Sequence, residues 1–535
     1  MKEACGVFGV YAPGRAVSHL VFDGLYALQH RGQESAGMAV SDGETITVVK
    51  DMGLVTRVFD ERTLSGLPGH LAMGHTRYST HGSSDWRAAQ PVFKSVGHAG
   101  FALGHNGNLT NTPALAERAG MLPGMAATDS DVIGELLSAV CGRAPQTAVG
   151  PTTGPTAVGP TAVGPTAVGP TAVGPTTAPA TEPFLAAALR AVLPHVEGAY
   201  SLVLLDDDCL YGVRDPHGFR PLCLGRLGSE EKPEGWVLAS ESPALDIVGA
   251  TFVRELDPGE LVTIDEHGVR SELLFDPADL DPRLCIFELV YFARPDSRLR
   301  GREVHGARRR MGELLAAQAP VDADLVMGVP ESGVPAAEGY ARWSGISYGQ
   351  GLVKNRYIGR TFIDPDSAAR QRAVRRKLNP LRDNIAGKRL VVVDDSIVRG
   401  TTTREIVGML RDAGAAEVHL RISSPPFRWP CFYGIDTPRR AELLAAAMTL
   451  PEMEAFFGVD SLAYIGVDEL KEAIGAGEGG WCDACLTGDY PTAVAPELVE
   501  AGARHAPRTA HALEGVTIAV RSPRADRDAE PGQDA

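Results

Sequence analysis

The stretch Val391-Val-Val-Asp-Asp-Ser-Ile-Val-Arg-Gly-Thr-Thr-Thr403 contains the clearest local signal in the 535-residue chain. An apolar strand ends at two acidic residues, Asp394 and Asp395, and a loop of small residues then leads into a helix that we expect to begin near Thr403. Ligands of open α/β sheets bind at such strand ends, and the free N–H groups of a helix N-terminus suit a phosphate. The stretch therefore predicts a phosphate-binding loop, which a solvated acidic turn would not explain.

The rest of the chain divides into two kinds of pattern. A second continuous apolar run, Asp324-Leu-Val-Met-Gly-Val, also suits a buried parallel sheet, so the second half is predicted to be α/β. In the first half, short runs such as Cys5-Gly-Val-Phe-Gly-Val alternate with turn residues and predict a sheet-rich domain. The length allows two to four domains, and we expect two large ones.

Charge and composition narrow the class of partner. With 51 Lys and Arg against 67 Asp and Glu, the formal charge of −16 disfavours nucleic acid and anionic membranes and favours a small-molecule partner. No stretch approaches the ~18 apolar residues of a spanning helix, so we expect a cytoplasmic protein. A TAVGP repeat predicts a disordered insertion over residues 147–181, and the polar residues 506–535 predict a disordered tail.

Near the N-terminus, Cys5 is followed by Gly6 and an apolar strand. Three further segments accompany it: Arg31-Gly-Gln-Glu-Ser-Ala-Gly37, Gly74-His-Thr-Arg-Tyr-Ser-Thr-His-Gly82 and Gly104-His-Asn-Gly-Asn-Leu109. Together they resemble the class II glutamine amidotransferases of the N-terminal-nucleophile superfamily over residues 5–270. This resemblance implies an αββα sandwich.

The same resemblance implies that Cys5 is the catalytic nucleophile and that its own α-amine is the base. An α-amine titrates near ~7.7 to 8.0 and a thiol near ~8.5, so proton exchange between them costs little. Asn106 and the Gly107 N–H are the implied oxyanion donors. Because residues 1–4 precede the nucleophile, we expect them to be removed as a leader.

Both ends of glutamine have an implied partner. Arg77 would bind the α-carboxylate and Asp131 the α-ammonium group. Taken singly, a solvated arginine or a hairpin turn at Asn106-Gly107 would be the commoner explanation. The joint occurrence with Cys5 favours the glutamine site.

The opening stretch closely resembles the signature of type I phosphoribosyltransferases, which bind phosphoribosyl pyrophosphate (PRPP), over residues 271–505. It implies that Asp394 and Asp395 bind the ribose hydroxyls or the associated magnesium ion. The loop after them would bind the 5′-phosphate. Its implied contacts are Ser396, Val398, Arg399, Gly400, Thr401 and Thr402.

Two further segments resemble parts of the same kind of site. Gly328-Val-Pro-Glu-Ser-Gly-Val-Pro335 resembles the pyrophosphate loop, with Glu331, Ser332 and Gly333 as contacts and Ser332 also near the magnesium ion. Lys354-Asn-Arg-Tyr-Ile-Gly-Arg-Thr-Phe362 resembles the lid, and its Lys354 and Arg356 would neutralise the departing pyrophosphate.

Each half occurs in several kinds of protein, but their combination is selective and resembles the amidophosphoribosyltransferase family. Cys285-Ile-Phe-Glu-Leu-Val-Tyr-Phe-Ala-Arg-Pro-Asp-Ser297 and Ser424-Pro-Pro-Phe-Arg-Trp-Pro-Cys-Phe-Tyr-Gly-Ile-Asp436 match it too. The resemblance implies that glutamine, PRPP and water give 5-phosphoribosylamine, glutamate and pyrophosphate, the first committed step of purine synthesis. Ammonia would pass between the sites through an apolar passage. The family also implies a homotetramer inhibited by purine nucleotides.

Four of the eight cysteines lie in segments that match the iron–sulfur branch of that family: Cys285, Cys431, Cys482 and Cys485. They would hold a 4Fe–4S cluster, although four thiolates also suit zinc. We expect Cys141, Cys209 and Cys223 to be inert thiols.

Two alternative functions stay open at the level of sequence. One is another two-domain glutamine amidotransferase that aminates a sugar phosphate. The other is a PRPP-sensing regulator that has lost its chemistry.

Overall fold

The computed structural model describes residues 5–78, 86–97, 99–122, 125–142, 183, 185–355, 375–437, 439–475 and 480–494. The predicted leader 1–4, the repeat insertion 147–181, the tail 506–535 and the predicted site residue Arg356 lie outside these ranges. Within them, no helix combines the length and apolar character needed to cross a membrane.

The first half is built from two antiparallel sheets. Its strands are β1 Gly6–Tyr11, β2 Ser35–Ser41, β3 Ile46–Met52, β4 Leu71–Arg77, β5 Val92–Val96, β6 Ala99–Leu109, β7 Gly198–Leu205, β8 Leu210–Arg214, β9 Cys223–Gly228, β10 Pro233–Ala239, β11 Thr251–Glu255, β12 Glu260–Asp265 and β13 Gly268–Leu273. A seven-stranded sheet has the order β11-β9-β10-β1-β4-β2-β3, and a six-stranded sheet has the order β13-β12-β8-β7-β6-β5.

Alternating side chains bury both faces of these sheets. In β1, Val7 and Tyr11 face the second sheet, whereas Phe8 and Val10 face the helix Val17–Ala27. The outer face of the six-stranded sheet packs against other helices. The helices of this half are Val17–Ala27, Val55–Val58, Glu61–Ser65, Thr112–Arg118, Asp129–Cys141, Ala186–Val192 and Pro243–Ile247, with 3₁₀ turns at Trp86–Ala88, Leu193–His195 and Pro277–Asp279. The predicted αββα sandwich is confirmed.

In the described part of the second half the strands are β14 Leu284–Cys285, β15 Arg298–Leu299, β16 Arg302–Glu303, β17 Leu325–Gly328, β18 Leu352–Lys354, β19 Leu378–Pro380, β20 Arg389–Asp394, β21 Glu417–Ile422, β22 Ser461–Tyr464 and β23 Trp481–Cys482. Four of them form a parallel sheet of order β17-β20-β21-β22. The two runs predicted to be buried parallel strands form β17 and β20, which are hydrogen-bonded neighbours. The prediction of an α/β second half is confirmed.

Helices cover this parallel sheet. They are Val304–Gln318, Val334–Ser344, Arg382–Ile385, Thr401–Asp412, Leu444–Ala447, Leu450–Phe457, Val467–Ala473 and Ala484–Thr487, with a π-helical turn at Glu288–Phe292 and a 3₁₀ turn at Arg440–Glu442. The helix expected to begin near Thr403 begins at Thr401 instead. Gly400 has φ 73°, a left-handed conformation that ends the loop and allows the next residue to be helical.

Candidate active site

Cys5 lies immediately before β1 and is half-buried, outside the apolar clusters of the sandwich. Its thiol donates to the Tyr78 carbonyl oxygen at 3.6 Å. Burial raises the pKa of the Cys5 thiol, while the Tyr78 contact and the charge of Arg77 act in the opposite direction. A thiol with a raised pKa needs a base to become a thiolate.

Asn106 and Gly107 lie within β6 of the facing sheet. The Asn106 side chain is fully buried, and neither its Oδ1 nor its Nδ2 has a hydrogen-bond partner among the described residues. Such a buried amide costs free energy unless a ligand satisfies it. Gly107 has φ 150°, and a Cβ there would lie 2.0 Å from the Ala199 carbonyl oxygen, so only glycine fits.

Strand pairing brings these residues to one end of the sandwich. Gly6 pairs with Thr76, which places Cys5 opposite Arg77 at the end of β4. The His75 Nε2 lies 3.0 Å from the His105 carbonyl oxygen, which joins β4 to the residue before Asn106. Burial lowers the pKa of His75 to about 3, so this imidazole is neutral at neutral pH.

Arg77 and Asp131 are held by different elements. Arg77 is buried, and its Nη1 lies 3.6 Å from Glu34 Oε2. Asp131 belongs to the first turn of the helix Asp129–Cys141, where Thr128 and Asp131 form a reciprocal capping box. The Asp131 Oδ2 accepts the Thr128 N–H at 2.9 Å, which fixes the orientation of this carboxylate.

The second predicted site lies at the end of β20. Asp394 and Asp395 are both buried, and the Asp395 N–H donates to Asp394 Oδ1 at 3.0 Å. Burial, together with the Asp395 carboxylate, raises the pKa of Asp394 well above its usual range. Two adjacent buried carboxylates are a donor set that suits magnesium.

The loop after these aspartates leads directly into a helix. The Ser396 hydroxyl donates to the Asp395 carboxylate, and Thr401 and Thr402 open the helix. The backbone carbonyl of Val398 accepts the Leu444 N–H at 2.8 Å. The Arg399 side chain instead binds Glu442, with 2.6 Å between Nη2 and Oε2. In this conformation the Arg399 guanidinium is paired with Glu442, so the helix N-terminus at Thr401 is the group that would bind the phosphate.

The predicted pyrophosphate loop lies beside Asp394. A Cβ on Gly333 would be 2.3 Å from the Val393 carbonyl oxygen and 3.1 Å from the Asp394 Cα, so the two loops touch at this glycine. Glu331 binds Lys354, with 3.2 Å between Oε2 and Nζ. Ser332 lies between Glu331 and Gly333 in the loop that follows the parallel strand β17.

The four cysteines predicted to form a cluster come together in one apolar core. Cys285 in β14 pairs with Cys482 in β23, and the Cys485 carbonyl accepts the N–H groups of Arg428 and Trp429, just before Cys431. All four are buried and free of disulfides. Among the described residues, no group of three or more potential ligands is spaced for a single metal ion.

A buried ion network joins the two halves, and the sequence motifs assigned no role to it. The Arg31 Nε donates to the Cys5 carbonyl at 3.0 Å, and its Nη atoms bind Glu241 and Glu288 at 2.5 and 2.8 Å. Glu288 also binds Arg220 at 3.1 Å, and Arg220 donates to the Tyr433 carbonyl. A signal was present in the sequence, because Arg31 and Glu288 both lie in the motifs that carry the resemblance.

The network continues toward the second site. Arg308 is buried and donates to the carbonyls of Leu289 and Ala293 at 2.9 and 2.8 Å. Burial lowers the pKa of Arg308 to about 10, while the Asp395 carboxylate raises it. The π-helical turn Glu288–Phe292 therefore contacts both Arg31, which donates to the Cys5 carbonyl, and Arg308, which lies near Asp395.

Comparison with known proteins identifies the family. No protein-family model matches the chain. Proteins named amidophosphoribosyltransferase match it in Mycobacterium leprae (50% identity, 93% of this chain and 84% of the relative), Synechocystis (48%, 93% and 92%) and Bacillus subtilis (40%, 93% and 96%).

Two solved structures agree with these relatives. One is glutamine PRPP amidotransferase from Bacillus subtilis complexed with ADP and GMP (TM-score 0.77, 38% identity, 93% of this chain and 100% of that chain). The other is described as the allosteric regulatory enzyme of purine biosynthesis (TM-score 0.78, 39% identity, 94% and 99%). Identity of 40% to 50% over nearly the whole length exceeds what a shared fold alone would give. The chain therefore belongs to the amidophosphoribosyltransferases, the enzymes of the first step of purine biosynthesis.

Proposed function

We propose that this chain divides the amidophosphoribosyltransferase reaction between the two sites described above. Glutamine is hydrolysed at Cys5, and the ammonia released there attacks C1 of PRPP held at Asp394 and Asp395. The products are 5-phosphoribosylamine, glutamate and pyrophosphate. The observation that carries the proposal is Asn106, a buried amide without a partner among the described residues and close to the strands that end at Cys5 and Arg77.

At the first site, the Cys5 sulfur attacks the carboxamide carbon of glutamine. The Asn106 amide and the Gly107 N–H stabilise the resulting oxyanion, and Arg77 and Asp131 bind the α-carboxylate and α-ammonium groups. The carbon–nitrogen bond then breaks, ammonia leaves with the thiol proton, and water hydrolyses the thioester to glutamate. The α-amine of Cys5 serves as the base after removal of residues 1–4. Intact-mass analysis of active enzyme tests this removal, because a retained leader would contradict it.

At the second site, the residues Ser396 to Thr402 bind the 5′-phosphate at the helix N-terminus. The loop of Glu331, Ser332 and Gly333 receives the pyrophosphate. Lys354 is held near that loop by Glu331. Together with Arg356, Lys354 would neutralise the leaving group.

A magnesium ion fits the buried carboxylates of Asp394 and Asp395, with Ser332 nearby. When bound, it would supply positive charge to the pyrophosphate oxygens. The protein groups orient the ribose and exclude water from C1. Isothermal titration of PRPP with and without magnesium tests this site, and unchanged PRPP affinity without the ion would contradict it.

The apolar core at the junction supports passage of ammonia between the sites. Phe219 of the first half packs in one cluster with Phe287, Leu289 and Val290 of the second half. Ammonia that travels along such apolar side chains stays unprotonated, which keeps it nucleophilic.

We propose that Cys285, Cys431, Cys482 and Cys485 hold a 4Fe–4S cluster, because all four are buried free thiols of one apolar core and the buried Arg220 interacts electrostatically with two of them. Such a cluster would stabilise the fold or respond to oxygen. Iron and sulfide analysis of anaerobically purified protein decides this proposal, and zinc without sulfide would contradict it.

The Bacillus subtilis structure holds ADP and GMP, and we infer that purine nucleotides also inhibit this chain. We further propose a cytoplasmic homotetramer, which light scattering of the purified protein tests. The central experiment measures PRPP-dependent glutamate release. Glutamate and pyrophosphate in equal amounts support the divided reaction, whereas glutamine hydrolysis that ignores PRPP and yields no pyrophosphate contradicts it.

A further inference from the structure

Gln90 bridges the two elements that recognise opposite ends of the proposed glutamine substrate. It is 4% exposed and precedes strand β5. Its Oε1 accepts the His105 N–H at 2.7 Å, and its Nε2 donates to the Ser130 hydroxyl at 3.0 Å. His105 is the residue before Asn106, and Ser130 is the residue before Asp131. One neutral side chain thus connects the oxyanion strand to the helix that carries the ammonium-binding carboxylate.

The backbone around Gln90 is itself held in place. The Lys50 ammonium group donates to the carbonyls of Ala89 and Pro91, at 2.6 and 3.1 Å, on both sides of Gln90. The Trp86 indole N–H donates to the Lys50 carbonyl at 3.2 Å, and the Lys50 amine lies 5.4 Å from the indole ring centre. A side chain locked at its backbone and at both ends of its carboxamide has little freedom to adjust.

Strand β2 packs so closely against the Gln90 backbone that Gly37 has no room for a side chain. A Cβ on Gly37 would lie 2.3 Å from the Gln90 carbonyl oxygen. Strand β2 therefore packs directly against the segment that contains Gln90. The packing of the sandwich thus fixes the backbone from which the Gln90 carboxamide extends.

We propose that Gln90 is a positioning residue that sets the distance between the oxyanion donors Asn106 and Gly107 and the carboxylate of Asp131. This inference rests on the proposed glutamine site. Because glutamine is bound at both ends, the separation of the two binding groups determines the length of amino acid that the pocket accepts. A displacement of ~1 Å in such a site costs about 100-fold in rate.

The test replaces Gln90 by Met, which has a similar volume and makes neither hydrogen bond. Two diazoketone amino acids that alkylate the Cys5 thiol report the pocket length: 6-diazo-5-oxo-L-norleucine has the length of glutamine, and 5-diazo-4-oxo-L-norvaline has the length of asparagine. We expect Gln90→Met to slow alkylation by the longer reagent about 100-fold. The shorter reagent should be slowed much less, so the ratio of the two rates falls.

Three controls separate positioning from damage to the fold. Iodoacetamide needs no amino-acid pocket and should alkylate Cys5 at the parent rate. Ammonia-dependent phosphoribosylamine formation should also match the parent. Asn111→Leu is the control variant, because the Asn111 carboxamide also makes two hydrogen bonds between separate segments, to His195 O and Glu197 N, away from the site. It should leave the ratio unchanged.

An equal loss for both reagents, or an unchanged ratio, would overturn the proposal. Glutamine hydrolysis that persists in Cys5→Ala would instead overturn the proposed glutamine site, so the two failures are distinguishable.

Discussion

The two predicted sites of this chain are assembled in opposite ways. The predicted glutamine site takes Cys5, Arg77, Asn106 and Asp131 from three antiparallel strands and a helix that are far apart in the sequence. The predicted phosphoribosyl site consists mainly of loops that directly follow the parallel strands β17 and β20. A parallel sheet gathers its ligand groups at one edge, so a short contiguous motif describes most of a site. An antiparallel sandwich gathers them only through the register of its strands.

The sharpest test of this division is a pair of variants, one in each site. Cys5→Ala should abolish glutamine use, with a loss on the order of 10⁶-fold in kcat for a missing nucleophile, and should spare the reaction with added ammonia. Asp394→Asn should impair both reactions, because both need bound PRPP. Pyrophosphate release with glutamine and with ammonium chloride measures the two effects. Equal losses of both reactions in Cys5→Ala would contradict the division.

The junction between the sites is the next place to perturb. Arg31→Met leaves the buried carboxylates of Glu241 and Glu288 without their partner, and we expect a loss of 3–5 kcal/mol, roughly, in the free energy of unfolding. Denaturant unfolding followed by circular dichroism measures it. Arg389→Met removes exposed pairs with Asp322 and Asp324 and should change stability little. Similar losses in the two variants would show that burial does not set the strength of this network.

Asn106→Ala tests the site that depends on strand register. Removal of one oxyanion donor should lower the glutamine-dependent kcat by about 10²–10³-fold. The Michaelis constant for PRPP and the ammonia-dependent rate should stay at the parent values. Steady-state kinetics with both nitrogen donors provide the measurement, and an unchanged glutamine-dependent kcat would remove Asn106 from the site.

The smallest expected effect is on acid stability. Although burial would raise the pKa of Glu241, the charges of His30 and Arg31 hold it far below the usual carboxyl range. A carboxyl group with a lower pKa in the folded than in the unfolded protein stabilises the fold. This stabilisation is complete at pH values above the pKa of the unfolded state, ~4.3, and is lost as the pH falls below it. Below that pH, the contribution of Glu241 to the free energy of unfolding should fall by up to about 1.4 kcal/mol for each pH unit. The difference between parent and Glu241→Gln unfolding at pH 3 to 7 measures it, and parallel curves would contradict it.

The predictions made from the sequence succeeded where the signal was local. The apolar runs that became β17 and β20, the sheet-rich first half and the family resemblance all agree with the observed fold and with the relatives. The helix expected near Thr403 begins two residues earlier, at Thr401, directly after the left-handed Gly400. The roles of the individual site residues and the domain boundaries stay predictions.

Three buried polar residues near the predicted sites had no role assigned from the sequence. Gln90, Arg31 and Arg308 are polar residues that would ordinarily be placed at the surface, yet all three are buried. Arg31 and Arg308 bind backbone carbonyls and carboxylates, and Gln90 binds a backbone N–H and a hydroxyl group. These partners lie 15 or more positions away in the sequence, so no local pattern predicts the contacts.

By itself, the sequence determined which elements form and which residue types could carry the chemistry, because strand period, turn residues and the loop after Asp395 act over a few neighbouring positions. The tertiary structure decided which of these residues meet. The placement of Cys5 opposite Arg77, the bridge made by Gln90 and the gathering of four cysteines in one apolar core depend on strand register and on packing between segments that are not neighbours in the sequence. Burial then decides the charge state and strength of the polar groups, and burial is a property of the folded chain alone.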